Sequence, residues 1–145
     1  MDNDFKIEEL ADSSIKEDYT FKMVIVGDCA VGKSNLLSRY INNEFSTETK
    51  STVGVELSTK IYKINDKIVK LIIWDTAGQE KFRSLTKIFY KEASIAILVY
   101  DITKKDTFSE MKDYWYQQLI EFGEPNVSKS KFFFLFFLVF GVAGN

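Results

Sequence analysis

The stretch MVIVGDCAVGKSNLL, residues 23–37, decides the fold. Met23 to Val26 is a continuous apolar run, which suits a strand buried on both faces. Gly27 to Ser34, GDCAVGKS, matches G-x-x-x-x-G-K-[ST]. Leu36, Leu37, Tyr40 and Ile41 then recur at helical spacing, so Lys33 opens a helix. Phosphate oxygens need several N–H donors converging on them, and a glycine-containing loop at a helix N-terminus supplies these. Gly32 lets the backbone approach without a Cβ clash. Lys33 places a cation on β- and γ-phosphates, and the Ser34 hydroxyl has the reach to ligate Mg²⁺. The competing reading is a chance turn before a helix. The order strand, loop, helix weighs against it.

A second element, IIWDTAGQE (residues 72–80), belongs with the first. Asp75 at the end of a strand can hold Mg²⁺ through water. Gly78 allows a backbone N–H close to a γ-phosphate. Gln79 carries both a donor and an acceptor, which suits orienting an attacking water. Taken alone, D-T-A-G is as readily a plain turn.

The rest of the chain alternates strands and helices. Asn42 to Thr52 reads as a polar loop. VGVELSTKIYKI (53–64) alternates and is β-branched, Asn65-Asp66 turns, and KIVKLIIWD (67–75) returns. A helix falls within Glu80 to Ala93, and SIAILVYDIT (94–103) is another buried strand. From Asp106, read as a cap, to Glu121, a helix carries Phe108, Met111, Trp115 and Leu119 on one face, more as core than as a site. Gly123 and Pro125 end it. Phe132 to Val139 is the next strand candidate. This is an α/β sandwich with a mostly parallel sheet and one antiparallel strand from the hairpin.

Composition narrows the function. A chain of 145 residues suits one domain. Its net charge of −2 gives nucleic acid no bulk attraction, so no nucleic-acid partner is expected. There is no histidine, which removes His-based triads and most zinc sites. Cys29 is the one cysteine and indicates a reducing compartment. A donor-rich loop could lower its thiol pKa, but a small residue filling the loop is the simpler reading. Residues 1–19 hold seven acidic residues and no apolar core segment. They read as a solvated, disordered extension, with a short helix at Ile7 to Leu10 as the alternative, and not as a signal peptide.

Taken together, GDCAVGKSNLL, KSTVGVE, WDTAGQEKFRSL and LVYDIT resemble the Rab branch of the Ras-like small GTPases, over about residues 20–126. The resemblance implies a P-loop NTPase sandwich and a GTP/GDP switch with Mg²⁺ in vesicle trafficking. Nucleotide-binding residues would be Gly27, Asp28, Cys29, Ala30, Val31, Gly32, Lys33, Ser34, Asn35, Phe45, Thr52, Asp75, Gly78 and Asn145. Ser34, Thr52 and Asp75 would hold the metal, and Gln79 and Lys33 would be catalytic. Thr52 resembles the threonine that senses the γ-phosphate, and Phe45 the aromatic residue that packs on guanine. Asn42–Leu57 and Gly78–Ala93 would meet effector, exchange-factor and activating proteins. Leu57, Trp74 and Tyr90 would form an apolar patch for effectors, with plain core packing as the alternative for Trp74 and Tyr90. Leu57 stands where a Phe is more usual, and FYKEAS departs from the common run. The cytoplasm, at the cytosolic face of endomembranes, is the expected location. A catalytically silent fragment that only engages Rab partners, and an ATP-using P-loop enzyme, are the competing readings.

The family's guanine-reading loop is Asn-Lys-x-Asp. VAGN, ending in Asn145, resembles its lead-in. On this reading residues 20–145 are an incomplete domain lacking the last strand and last two helices. Poor solubility and weak GTP binding are expected from it. No prenylation cysteine is encoded. Residues 127–140 form a Phe-rich segment, an insertion or a strand. It is too short to span a bilayer, which needs about 20 apolar residues. Val127-Ser128 is also what a common splice-donor sequence encodes, so retained intron is one reading of it.

Overall fold

The computed structural model describes residues 6–11, 14–47, 52–78, 83–123 and 133–139. The strands are β1 (Ile7–Leu10), β2 (Tyr19–Val26), β3 (Val55–Ile64), β4 (Lys67–Thr76), β5 (Ile95–Asp101) and β6 (Phe133–Val139). They form one sheet in the order β1-β3-β4-β2-β5-β6. β2 pairs in parallel with β4 and β5, and β5 with β6. Only β3 runs against the others, paired antiparallel to β4 on one side and β1 on the other. The mostly parallel sheet with one antiparallel strand is therefore as the sequence reads.

Alternation within the strands builds the two outer layers. Val24, Val26, Ala96 and Leu98 point to one face, where Tyr90, Met111, Trp115 and Leu119 cover them. Ile25, Ile73, Ile97 and Val99 point to the other, under Leu37 and Val31. A sheet buried on both faces needs continuous apolar strands, and β2 and β5 have them. The helices are α1 (Lys33–Asn42), α2 (Arg83–Tyr90), α3 (Lys105–Glu110) and α4 (Tyr116–Phe122), with a π-helical turn, Met111–Trp115, joining the last two. Asn65, the hairpin residue, has φ 53°, a left-handed value that Asn tolerates.

Three expectations are corrected. The acidic extension is not featureless: Ile7–Leu10 is a strand on the edge of β3, in register with Ile64 to Ile61. Neither disorder nor a helix describes Ile7–Leu10. Composition alone misleads here because the acids meet lysines of the hairpin. Glu9 pairs with Lys60, Glu17 lies 3.7 Å from Lys70, and Asp18 lies 3.9 Å from Lys67. Asp18 also exchanges two 2.8 Å hydrogen bonds with Ile68, which explains why β2 starts at Tyr19.

Asp106 is not a cap. Lys104 occupies the N-cap position, and no side chain caps the helix. Phe108 does not share the buried face. It is 44% exposed, and Thr107 is buried instead. Thr107, Met111, Trp115 and Leu119 repeat every four residues, which drifts around an ordinary α-helix. The wider i→i+5 turn between Met111 and Trp115 absorbs that drift and keeps them on the core.

Candidate functional site

The sheet order reverses at β2: the chain runs from it to β3 and β4 on one side, then crosses to β5 on the other. Ligand crevices of open parallel sheets lie outside the strand C-termini at such a point. The loop Gly27–Gly32 leaves β2 there and runs into α1. Gly27 has φ 151°, and a Cβ on it would come within 2.2 Å of the Val99 carbonyl oxygen. Ala30 and Gly32 also have positive φ, 60° and 97°, and Gly32 is the N-cap of α1. The main-chain amides that open α1 therefore face outward from a helix N-terminus, which favours anions.

Lys33 is buried, and its ammonium donates to the carbonyls of Gly27 at 2.8 Å and Asp28 at 2.6 Å. Burial pushes its pKa down, and Asp75, Cys29 and Asp28 push back. An ammonium has three donors, so one remains for a further acceptor.

Ser34, Thr52 and Asp75 converge. The Ser34 hydroxyl donates to Asp75 Oδ2 at 2.5 Å and lies 2.6 Å from Thr52 Oγ1. A hydroxyl has one proton, so with Ser34 donating to the carboxylate, Thr52 donates to Ser34. Asp75 is fully buried, and its Oδ1 has no hydrogen-bond partner among the described residues. Burial raises its pKa, against the pull of Ser34 and Lys33. A buried carboxylate oxygen without a partner is costly, and a cation relieves that cost. Two hydroxyls and a carboxylate are an all-oxygen donor set, which suits Mg²⁺. No cluster of three or more His, Cys, Asp or Glu that could hold a metal occurs among the described residues. Mg²⁺ usually takes one or two carboxylates and completes its shell with phosphate and water.

Gly78 presses on the phosphate loop. A Cβ on it would lie 2.4 Å from the Asp28 carbonyl carbon and 2.5 Å from Asp28 O and Cys29 N. Ala77 N donates to Gly54 O at 3.0 Å, which ties this segment to the one carrying Thr52.

Of the other expected residues, Cys29 is exposed and Val31 is buried under α1. Asn35 lies in the first turn of α1. Phe45 is 46% exposed beyond the C-terminus of α1. Gln79 and Asn145 lie outside the described residues, as do parts of 42–57 and 78–93. The expected apolar patch is only partly surface. Leu57 is 60% exposed, and its register partner Trp74 is half-buried against Phe89 and beneath the Lys22 ammonium. Tyr90 is fully buried in the core, so the core reading replaces the patch reading for it. Trp115 reads from sequence as core more than as a site. It is buried, but its indole N–H also donates to Asp28 Oδ1 at 2.9 Å. The signal available for it was chemical, since a buried indole N–H needs an acceptor.

Residues 22–132 match the family profile described as Ras family. The chain is 51% identical over 110 residues to Ras-related protein RABA1b of Arabidopsis thaliana, which covers 76% of this chain and 50% of that protein. It is 51% identical to Ras-related protein Rab11E of Lotus japonicus and 50% identical to Ras-related protein RIC2 of Oryza sativa subsp. japonica, with the same coverage. The chain spans about half the length of the curated relatives it matches.

Proposed function

From the premise that the chain belongs to the Ras family, in its Rab branch of small GTPases, we propose that it binds a guanine nucleotide with Mg²⁺ and works as a GTP-hydrolysing switch in vesicle trafficking. The observation that carries this reading is the convergence of Ser34, Thr52 and Asp75 beside the buried Lys33 ammonium.

Each residue has a role. The amides opening α1 bind phosphate oxygens. Lys33, braced by two loop carbonyls, offers its remaining donor to the β- and γ-phosphates. Ser34, Thr52 and Asp75 would hold the metal through their hydroxyl and carboxylate oxygens. A bound Mg²⁺ supplies charge neutralisation of the phosphates. Gly78 brings a backbone N–H to the γ-phosphate, and Gln79 orients the attacking water. Thr52 and Gly78 are held while a γ-phosphate is present and released afterwards, which makes the switch.

Val53, Leu57 and Ile88 are 73%, 60% and 68% exposed. They favour the two segments 42–57 and 78–93 as the faces for effector, exchange-factor and activating proteins. The same exposure also supports the second reading, a fragment that only engages those partners. No helix among the described residues is long and apolar enough to cross a membrane. We place the work of the protein at the cytosolic face of endomembranes.

Displacement of a fluorescent GDP analogue, with and without Mg²⁺, tests this reading. GTP and GDP should displace it and ATP should not. Equal displacement by ATP supports an ATP-using enzyme instead. No binding of the analogue leaves only the partner-engaging fragment.

A further inference from the structure

Trp115 belongs to neither strand nor loop of the phosphate site, yet it reaches the site. It sits at the last position of the π-helical turn, fully buried, and its Nε1–H donates to Asp28 Oδ1 at 2.9 Å. Asp28 is the second residue of the phosphate loop, and its main chain has two further contacts. Its carbonyl accepts from Lys33 at 2.6 Å. The Asp28–Cys29 peptide is also the surface against which Gly78 packs. One side chain therefore anchors the peptide that braces the lysine and faces the second segment.

The loop needs an anchor. Gly27, Ala30 and Gly32 all have positive φ within six residues. The glycines adopt it freely, but Ala30 carries a Cβ, and a non-glycine residue persists there only where its surroundings over-determine it. Hydrogen bonds to a carboxylate are the stronger kind. The core on the far side of the indole keeps its N–H aimed at the loop. The π-helical turn holds Trp115 on that face, and turns of this type recur at functional sites.

We propose that Trp115 is a positioning residue for the phosphate loop: its indole N–H holds the Asp28 carboxylate and so fixes the loop's first turn. Its consequence for nucleotide affinity rests on the function proposed above, whereas the tether itself does not.

Two variants break the tether from opposite ends. Trp115→Phe removes the N–H and keeps an aromatic ring in the core. Asp28→Ala removes the acceptor and leaves the core intact. Backbone order parameters of the ligand-free 145-residue chain give the first readout. For Asp28 to Val31 they should fall from about 0.85 to below about 0.6 in both variants, with β2, β4 and β5 unchanged. Asp28→Asn, which keeps an acceptor oxygen, should fall between. The Trp115 indole N–H resonance, assigned by comparison with Trp74→Phe, should move in Asp28→Ala. GDP affinity in Mg²⁺ should drop about tenfold in each single variant and no further in the double, as for one charge-assisted hydrogen bond.

Unchanged loop order in Asp28→Ala overturns the proposal, as does loosening in Trp115→Phe spread evenly through the sheet. If the parent chain binds no GDP, the proposed function fails, and the order parameters still decide the tether.

Discussion

Replacing Gly78 with Ala separates the two segments of the site by a distance the structure sets. The new Cβ would lie 2.4 Å from the Asp28 carbonyl carbon, where ordinary contact begins at 3.4 Å. The segment after β4 must retreat by the difference, 3.4 − 2.4, about 1 Å. The phosphate loop cannot give way instead, since Lys33 and Trp115 hold Asp28 from two sides. Gly78 is a half-buried residue in a connecting segment. The cost to folding is therefore expected at about 1 kcal/mol, the low end for overpacking.

The cost to function is larger. A backbone N–H to a charged phosphate is worth about 1.5–3 kcal/mol, or roughly a 10- to 150-fold preference for GTP over GDP. Retreat by 1 Å removes most of it. Parallel titrations of GDP and a non-hydrolysable GTP analogue into parent and Gly78→Ala measure this. GDP affinity should stay within about threefold, and the preference for the triphosphate should collapse. A preserved triphosphate preference would refute the reasoning. So would an equal loss for both nucleotides, because the phosphate loop would then be the element that moved.

Three other perturbations follow from the same geometry. Asp75 has a raised pKa in the fold, so its contribution favours folding below its unfolded value near 3.8 and is lost as pH rises through the folded value. Asp75→Asn should therefore be more stable than the parent at neutral pH, by a margin that shrinks in acid, and should not be stabilised by Mg²⁺ with GDP; thermal melts across pH test both. Lys33→Ala leaves two loop carbonyls without their donor, which should cost about 1–3 kcal/mol in denaturant unfolding and abolish measurable nucleotide binding. Lys22 stands 4.1 Å over the Trp74 ring and donates to Lys91 O at 2.8 Å. Lys22→Met should lower stability by about 1 kcal/mol and shift Trp74 emission; an unchanged spectrum contradicts the contact.

What could be read from the sequence was local. Met23 to Val26, the glycine loop and the spacing of Leu36, Leu37 and Ile41 each act over a few residues, so strand, loop and helix were legible. The hairpin at Asn65 was legible for the same reason. Ser34 and Asp75 followed from their motifs, and Thr52 followed only from family resemblance. Pairings made far along the chain were not legible. Glu9 of β1 meets Lys60 across 51 positions, and Asp28 meets Trp115 across 87. The π-helical turn left one trace, the strict four-residue repeat from Thr107 to Leu119. Tyr90 shows the converse error. An aromatic near a surface segment reads as patch or core equally well until the sheet is in place.

The most direct measurement is calorimetric titration of GDP into the 145-residue chain, with Mg²⁺ and with chelator, for the parent and for Ser34→Ala. A metal held between Ser34, Thr52 and Asp75 gives saturable one-to-one binding that weakens at least about tenfold on chelation, and a Ser34→Ala variant that no longer responds to the metal. Binding that is indifferent to Mg²⁺, or that keeps its full metal dependence without the Ser34 hydroxyl, would contradict it.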